Sequence, residues 1–316
     1  MNFLVTGGAG FIGSHLCERL ISAGHHVLCL DNFNTYYDPE IKRNNIETAL
    51  SSKNYRLIEG DILDWSLLQN VFQKNRFDGI VHLAARAGVR PSIQEPRLYQ
   101  KVNVEGSVNL LELSVRYHIK KFIFASSSSV YGNNKKVPFS ESDPVDHPIS
   151  PYAATKKAGE LIASTYCSLY PISIICLRFF TVYGERQRPD MAIHKFTRLI
   201  DQGKEIPVFG DGTSRRDYTY IHDILDGIQN SIDRCNGYKV YNLGNSRTIE
   251  LDSLIRLIEK NLGKKAKIKS MPVQPGDVPI TYADISLAER EINYHPNYSI
   301  EQGIEKFIAW YRKYQS

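Results

Sequence analysis

The sequence predicts an α/β fold: a doubly wound parallel sheet with a smaller α/β substrate-binding domain toward the C-terminus. Three observations predict it. Short apolar runs at residues 3–5, 26–30, 55–62, 77–83, 121–125 and 172–178 alternate with helical periodicity, the pattern of parallel strands joined by right-handed crossovers. The first run leads straight into Gly7-Gly8-Ala9-Gly10-Phe11-Ile12-Gly13 and a helical pattern. Past residue 180 the alternation loosens, as a second unit requires.

Gly7, Gly10 and Gly13 recur at three-residue spacing between the first strand and the first helix. That context turns backbone N–H groups and a helix dipole toward a pyrophosphate. Gly7 permits the tight turn, Gly10 close approach of the phosphates, and Gly13 close helix–strand packing. The stretch, with Phe11 and Ile12, is therefore the expected dinucleotide site of a Rossmann-type sheet. A glycine-rich turn followed by a solvated acid is the competing reading. Asp31, which ends the second strand, weighs against it, because it stands near the roughly 20-residue offset of a carboxylate on the adenosine ribose. Such an acid favours NAD over NADP by repelling a 2′-phosphate.

Asn32 and Asn34 open a polar, aromatic loop at the ligand end of the second strand, and Asp38-Pro39 reads as a break. The third strand runs to Asp61 and Ile62, an acid and a backbone N–H suited to adenine. Residues 66–72 are helical. Leu83, Ala84 and Ala85 close the fourth strand, small enough for a cofactor to lie against. Residues 99–117 read as one long helix. Ser126 to Ser129 end the fifth strand on the ligand side, where hydroxyls donate to a carbonyl forming on a substrate; a plain serine-rich turn is the alternative.

Ser150-Pro151 is a helix start, with a capping hydroxyl and proline at the first helical position. Tyr152 and Lys156 then lie four apart on one face. A tyrosine phenolate at pH 7 costs roughly 4 kcal/mol. A neighbouring ammonium and an oxidised nicotinamide ring offset part of that, so Tyr152 takes a proton from a hydroxyl while hydride leaves the same carbon. On its own the pair reads as two surface residues; its place after a dinucleotide fingerprint reverses that reading.

Helices are expected at 191–202, 221–232 and 251–262. Residues 240–243 read as a strand returning to the main sheet. The expected division is 1–180, an NAD-binding domain to which 218–246 return, and 181–316, mainly substrate-binding. Ser299 with Gln302 forms a capping box, and Ile304, Phe307, Ile308 and Tyr311 give the last helix one apolar face.

Over 316 residues, 42% hydrophobic and 23% charged side chains describe an ordinary globular chain, and the formal charge of +5 is unclustered. No basic arm or aromatic–basic platform points to nucleic acid. No apolar run is long enough to span a membrane. The five cysteines show neither CxxC nor metal spacing, and an odd count suits a reducing compartment. The first strand begins almost at Met1, so the expected location is cytoplasmic, with no metal.

Taken together, Thr6 through Gly13, His82-Leu83-Ala84-Ala85, Ser127-Ser128-Ser129-Val130-Tyr131-Gly132, Tyr152 to Lys156, and Arg216-Asp217-Tyr218-Thr219-Tyr220-Ile221 resemble the extended short-chain dehydrogenase/reductase family in its nucleotide-sugar branch. The resemblance covers essentially the whole chain. It implies Ser127, Tyr152 and Lys156 as the catalytic triad and Arg216 as a ligand of the substrate diphosphate. Asn32-Phe33-Asn34 with Tyr36-Tyr37-Asp38, Ala87-Gly88-Val89-Arg90, Arg186-Gln187-Arg188-Pro189-Asp190-Met191 and Gln274-Pro275-Gly276-Asp277-Val278 are similar to UDP-glucuronate 4-epimerases. The similarity implies Thr181 and Arg188 on the sugar carboxylate, with Arg90, Ser128, Ser129 and Asp277 among the substrate contacts. A guanidinium and a hydroxyl do make a suitable carboxylate clamp; a phosphate or a surface acid is the alternative partner for Arg188, and the carboxylate is the preferred one. Arg86 departs from the glutamine expected at its place. Ser128-Ser129 lack the Asp-Glu of the 4,6-dehydratases, and Ser129 lacks the glutamate of the decarboxylases. The expected function is NAD-dependent interconversion of UDP-glucuronate and UDP-galacturonate by transient C4 oxidation, ketose rotation and hydride return. A UDP-glucose or UDP-N-acetylglucosamine 4-epimerase and a UDP-glucuronate decarboxylase are the alternatives. A homodimer is expected through residues 99–117 and 151–170, which carry more apolar side chains than one-sided packing needs.

Overall fold

A computed structural model describes residues 1–273 and 278–315. The main sheet takes β1 (Asn2–Thr6), β2 (His26–Asp31), β3 (Tyr55–Glu59), β4 (Gly79–His82), β5 (Lys121–Ser127), β6 (Ser173–Phe179) and β11 (Tyr238–Leu243). Their spatial order is β11-β6-β5-β4-β1-β2-β3, and every pairing is parallel. The order reverses between β1 and β4. At that switch the crossovers leave to opposite faces and open a crevice at the strands' carboxyl ends.

Helices α1 (Phe11–Ser22), α2 (Pro39–Leu50), α3 (Trp65–Lys74), α4 (Val89–Gln94), α5 (Pro96–Gln100), α6 (Gly106–Arg116), α7 (Pro151–Leu169) and α9 (Ile221–Asp233) accompany the sheet. Two apolar cores result. One gathers Val5, Leu16, Val81, Ile123 and Leu177, the other Leu4, Leu28, Ile80, Phe122 and Ile174. Alternate residues of the same strands feed opposite faces, as strand geometry dictates.

The remaining elements build beside the β6 end: β7 (Thr181–Tyr183), α8 (Ala192–Asp201), β8 (Glu205–Phe209), β9 (Arg215–Arg216), β10 (Tyr218–Tyr220), β12 (Ile249–Glu250), α10 (Leu251–Leu262), β13 (Lys267–Met271), α11 (Ser286–Ile292) and α12 (Ile300–Gln315). Three two-stranded sheets, β10–β7, β12–β9 and β13–β8, tie them together. Buried Asp217 is their knot. Its carboxylate accepts from the backbone N–H groups of Asn245, Ser246 and Ala283 and from the Thr219 hydroxyl. Between the two regions β11 runs along β6, from Tyr238 beside Ile174 to Leu243 beside Phe179. Ser299 and Gln302 exchange the two bonds of a capping box.

Several elements differ from the expectation. Asp38-Pro39 is a helix start: the Asp38 carboxylate accepts from Glu40 N–H at 3.0 Å, and Pro39 occupies the first turn of α2. The single helix expected over 99–117 is α5 and α6 joined by a π-helical turn, Lys101–Glu105. Inside that turn Asn103 reaches Arg86 and Thr155, the kind of side-chain demand that inserts an extra residue into a helix. β3 stops at Glu59, before Asp61, whose carboxylate instead closes a turn by accepting from Leu63 N–H at 2.9 Å. β5 continues through Ser127.

Glu160 of α7 and Arg178 of β6 form a buried bidentate ion pair, 2.8 and 2.9 Å, with side chains 1% and 2% exposed. Ser126 donates to Glu160, and Tyr131 accepts from Arg178 while donating to Asn242 of β11. Breaking one side of such a pair strands a buried charge. Glu160→Ala is therefore expected to lower stability by about 3–5 kcal/mol, read as a fall in the urea midpoint at constant m. A change below about 1 kcal/mol would mean the pair is effectively solvated.

Candidate active site

A cavity of about 590 Å³ lies at the switch between β1 and β4, lined from the glycine turn to the start of α7 and across to β7. Gly7 has φ +69° and its N–H donates to Leu30 C=O at 2.8 Å. A Cβ on Gly13 would sit 2.2 Å from Gly7 O, so helix α1 starts this close to β1 only with glycine there. Gly7, Gly10, Phe11, Ile12 and Gly13 all line the cavity. It is a cradle for phosphates at a helix N-terminus.

Asp31 lies buried at the end of β2. Its carboxylate accepts from Ala9 N–H (3.2 Å) and Phe33 N–H (2.9 Å), and Lys42 Nζ of α2 approaches to 3.5 Å. It is thus both a cavity carboxylate and the clasp of the glycine turn. Asn32 donates to Asp61 at 2.8 Å, and its side-chain oxygen accepts from the backbone N–H and the side-chain amide of Asn34. Ile62 packs on Gly106. Leu83, Ala84 and Ala85 form the opposite wall, with Leu83 N–H on Thr6 C=O and Ala84 N–H on the Thr6 hydroxyl.

Ser127 caps the 3-10 turn Ser128–Tyr131, accepting from Ser129 N–H and donating to the Ser129 hydroxyl, both at 3.2 Å. Ser150 caps α7 by accepting from Ala153 N–H at 3.1 Å. This sets Tyr152 and Lys156 on the cavity face. Burial raises the Tyr152 phenol above its ordinary range, while the Ser127 hydroxyl and the Arg188 guanidinium pull it back. Lys156 Nζ donates to Ala125 C=O at 2.7 Å and stands 6.0 Å from the Tyr152 ring centroid. Burial lowers its ammonium to about 8. The Tyr152 ring is held edge-on by Tyr99, 6.2 Å away.

Ser128, Ser129, Thr181 and Arg188 line the same cavity. Thr181 is delivered by the β7–β10 pairing. Arg188 stacks 5.4 Å from the Tyr36 ring centroid, and its Nε and Nη2 donate to Asp190 at 3.0 and 2.9 Å. Arg90 and Arg216 lie outside the cavity. The Arg90 guanidinium is 4.8 Å from the Phe209 ring centroid. Arg216 Nη1 donates to the backbone carbonyls of Arg215 and Pro279. Arg90 follows Val89, which does line the cavity, on α4, and Arg216 lies on β9. Asp277 falls outside the described residues.

Lys42, Tyr36, Tyr37 and Arg86 also line the cavity and were not read from sequence as site residues. Lys42 follows Asp38-Pro39 by one helical turn, so a helix start read there would have exposed it. Tyr36 stood within a stretch that carries the resemblance and Arg86 as a departure from it, but neither carried a role from its spacing.

A protein-family model described as GDP-mannose 4,6 dehydratase matches residues 4–307. UDP-glucuronate 4-epimerase 4 of Arabidopsis thaliana is 45% identical over 332 residues, spanning 99% of this chain and 76% of the relative. Among solved structures, UDP-glucuronic acid 4-epimerase from Bacillus cereus, in complex with UDP-glucuronic acid and NAD, superposes with a TM-score of 0.91 at 36% identity, covering 99% of this chain and 100% of that one. UDP-glucose 4-epimerase from Thermotoga maritima, with UDP-glucose, gives 0.92 at 33% identity, covering both chains fully at 100%.

Proposed function

The chain belongs to the NAD-dependent epimerase/dehydratase family as a nucleotide-sugar 4-epimerase, and we propose that its substrates are UDP-glucuronate and UDP-galacturonate. The observation that carries this reading is one cavity holding the glycine turn, the Ser127–Tyr152–Lys156 group and, beside them, Thr181 and Arg188.

The residues fit NAD. The turn that Gly7 and Gly13 keep free of side chains takes the pyrophosphate, Asp31 the adenosine ribose, Asp61 and Ile62 the adenine, and Lys156 the nicotinamide ribose. When bound, NAD accepts hydride from C4 of the sugar and later returns it. Tyr152 takes the proton of the 4-hydroxyl, and Ser127 donates to the oxygen as it becomes a carbonyl. The 4-ketose turns over within the cavity, so that hydride returns to its other face and Tyr152 gives the proton back. No carboxylate stands at Ser128 or Ser129 to drive water elimination or decarboxylation.

The ketose of a uronate is a β-keto acid, which loses CO2 readily. Held by Arg188 and Thr181, its carboxylate stays out of the alignment that C–C cleavage needs. One observation favours a second reading, UDP-glucose: Asp190 already neutralises Arg188. The protein is further proposed to be a cytoplasmic homodimer. Leu161 and Leu169 of α7 are 58% and 67% exposed, apolar surface suited to a helical interface with a second copy. Among the described residues no helix is long and apolar enough to cross a membrane.

Tyr152→Phe is expected to abolish epimerisation with NAD still bound; activity within a few-fold of wild type would remove Tyr152 from proton transfer. Arg188→Ala deletes charge-assisted bonds worth about 2–4 kcal/mol at a part-open site. That is about 30- to 1000-fold in kcat/KM for UDP-glucuronate, with a much smaller loss for UDP-glucose and more pentose released per turnover. Equal losses on both substrates would assign Arg188 to the diphosphate or the fold. Light scattering at micromolar concentration should give the mass of a dimer; a monomer mass would exclude the α7 interface.

A further inference from the structure

The charges around the cavity do not balance one for one. The lining carboxylates are Asp31 and Asp61. Asp31 has Lys42 beside it, and Asp61 accepts from Asn32 and Leu63 N–H. Arg188 is spoken for at its Nε–Nη2 edge by Asp190. That pair carries no net charge, so Arg188 offers a sugar carboxylate hydrogen bonds from its remaining donors and no uncompensated charge.

Arg86 is different. Among the described residues its guanidinium meets no carboxylate: Nη1 donates to the Asn34 side-chain carbonyl at a long 3.4 Å. Its Cζ lies 5.5 Å from the Tyr36 ring centroid, and the Arg188 Cζ lies 5.4 Å from that same centroid. Two guanidinium groups thus share one aromatic ring at the cavity wall. The backbone of Arg86 is fixed, because Asn103 of the π-helical turn accepts from its N–H at 2.7 Å and donates to its C=O at 3.0 Å. Asn103 is itself buried and also donates to Thr155 of the catalytic helix. The backbone that carries this cation is therefore anchored to the helix that carries Tyr152.

We propose that Arg86 is a specificity-determining residue for the acidic sugar: it supplies the uncompensated positive charge for the carboxylate that Arg188 orients, with Tyr36 spacing the two guanidinium groups. The inference rests on the UDP-glucuronate reading. Of the other lining cations, Lys42 and Arg188 stand beside carboxylates and Lys156 donates to Ala125 C=O; a planar guanidinium with free donors is suited to a carboxylate or a phosphate. The diphosphates of the dinucleotide and of the UDP-sugar are the other anions within the cavity's reach, and the test separates them.

The experiment compares wild type, Arg86→Gln and Arg86→Lys on UDP-glucuronate and UDP-glucose, with bound NAD measured in each purified protein. Arg86→Gln is expected to lose about 10- to 100-fold in kcat/KM on UDP-glucuronate, the range for one charge-assisted contact, mainly through KM. On UDP-glucose it should lose less than about threefold, and NAD content should match wild type. Arg86→Lys should recover most of the discrimination, and the wild-type advantage on UDP-glucuronate should shrink with added salt. Equal losses on both sugars would place Arg86 on the UDP diphosphate, loss of NAD would place it on the dinucleotide, and no loss would make it a solvated side chain. Each overturns the proposal. Wild type is measured first: if it turns over UDP-glucose but not UDP-glucuronate, the substrate reading itself fails, an outcome distinct from failure of Arg86 alone.

Discussion

The ion pair between Glu160 and Arg178 is the constraint on which the catalytic geometry depends. Tyr152, Lys156 and Glu160 succeed one another at four-residue intervals along α7, so they share a helical face. Fixing Glu160 against β6 sets the rotation of that face over the sheet. The same pair collects Ser126, one residue before Ser127, and Tyr131, at the end of the 3-10 turn that Ser127 caps. Tyr131 passes the network to Asn242 of β11, and Asn242 donates to Phe139 C=O and Asp284 C=O. A buried pair adds little net stability, because desolvation offsets the attraction. What it specifies here is where Ser127 and Tyr152 stand relative to each other.

Around that frame the cavity is tuned for anions and for a proton acceptor that needs help. Burial pushes the Tyr152 phenol up, and the groups that pull it down are Ser127 and Arg188. Lys156 is held on Ala125 C=O, 6.0 Å from the Tyr152 ring centroid. An oxidised nicotinamide ring beside Tyr152 adds positive charge where a phenolate forms. Proton transfer then becomes favourable when cofactor and substrate are both in place, which ties acid/base chemistry to occupancy of the site.

What was legible in the sequence was local. The strand–turn–helix with Gly7, Gly10 and Gly13, the Ser150 cap and the Ser299–Gln302 box each lie within one short segment, where spacing alone carries the physics. The alternation of apolar runs and helical periods revealed the parallel sheet for the same reason. Asp38-Pro39 misled because the residues that stop one conformation also start a helix, and α2 with Lys42 was lost with it. Asn103 was illegible for another reason. Its partners Arg86 and Thr155 lie far away in sequence, and the π-helical turn answers to them and not to the periodicity of residues 99–117. Thr181 reaches the cavity through a pairing of two three-residue strands too short to show a pattern.

The proposed reaction is reversible oxidation at C4 of a uronate, with its carboxylate retained. The direct test is to incubate the wild-type protein with UDP-glucuronate deuterated at C4 and to follow the products by NMR. The expected product is UDP-galacturonate that keeps deuterium at C4, in a stable mixture with the starting sugar. Deuterium exchanged into solvent, a pentose product, or no reaction of the uronate while UDP-glucose is epimerised would contradict it.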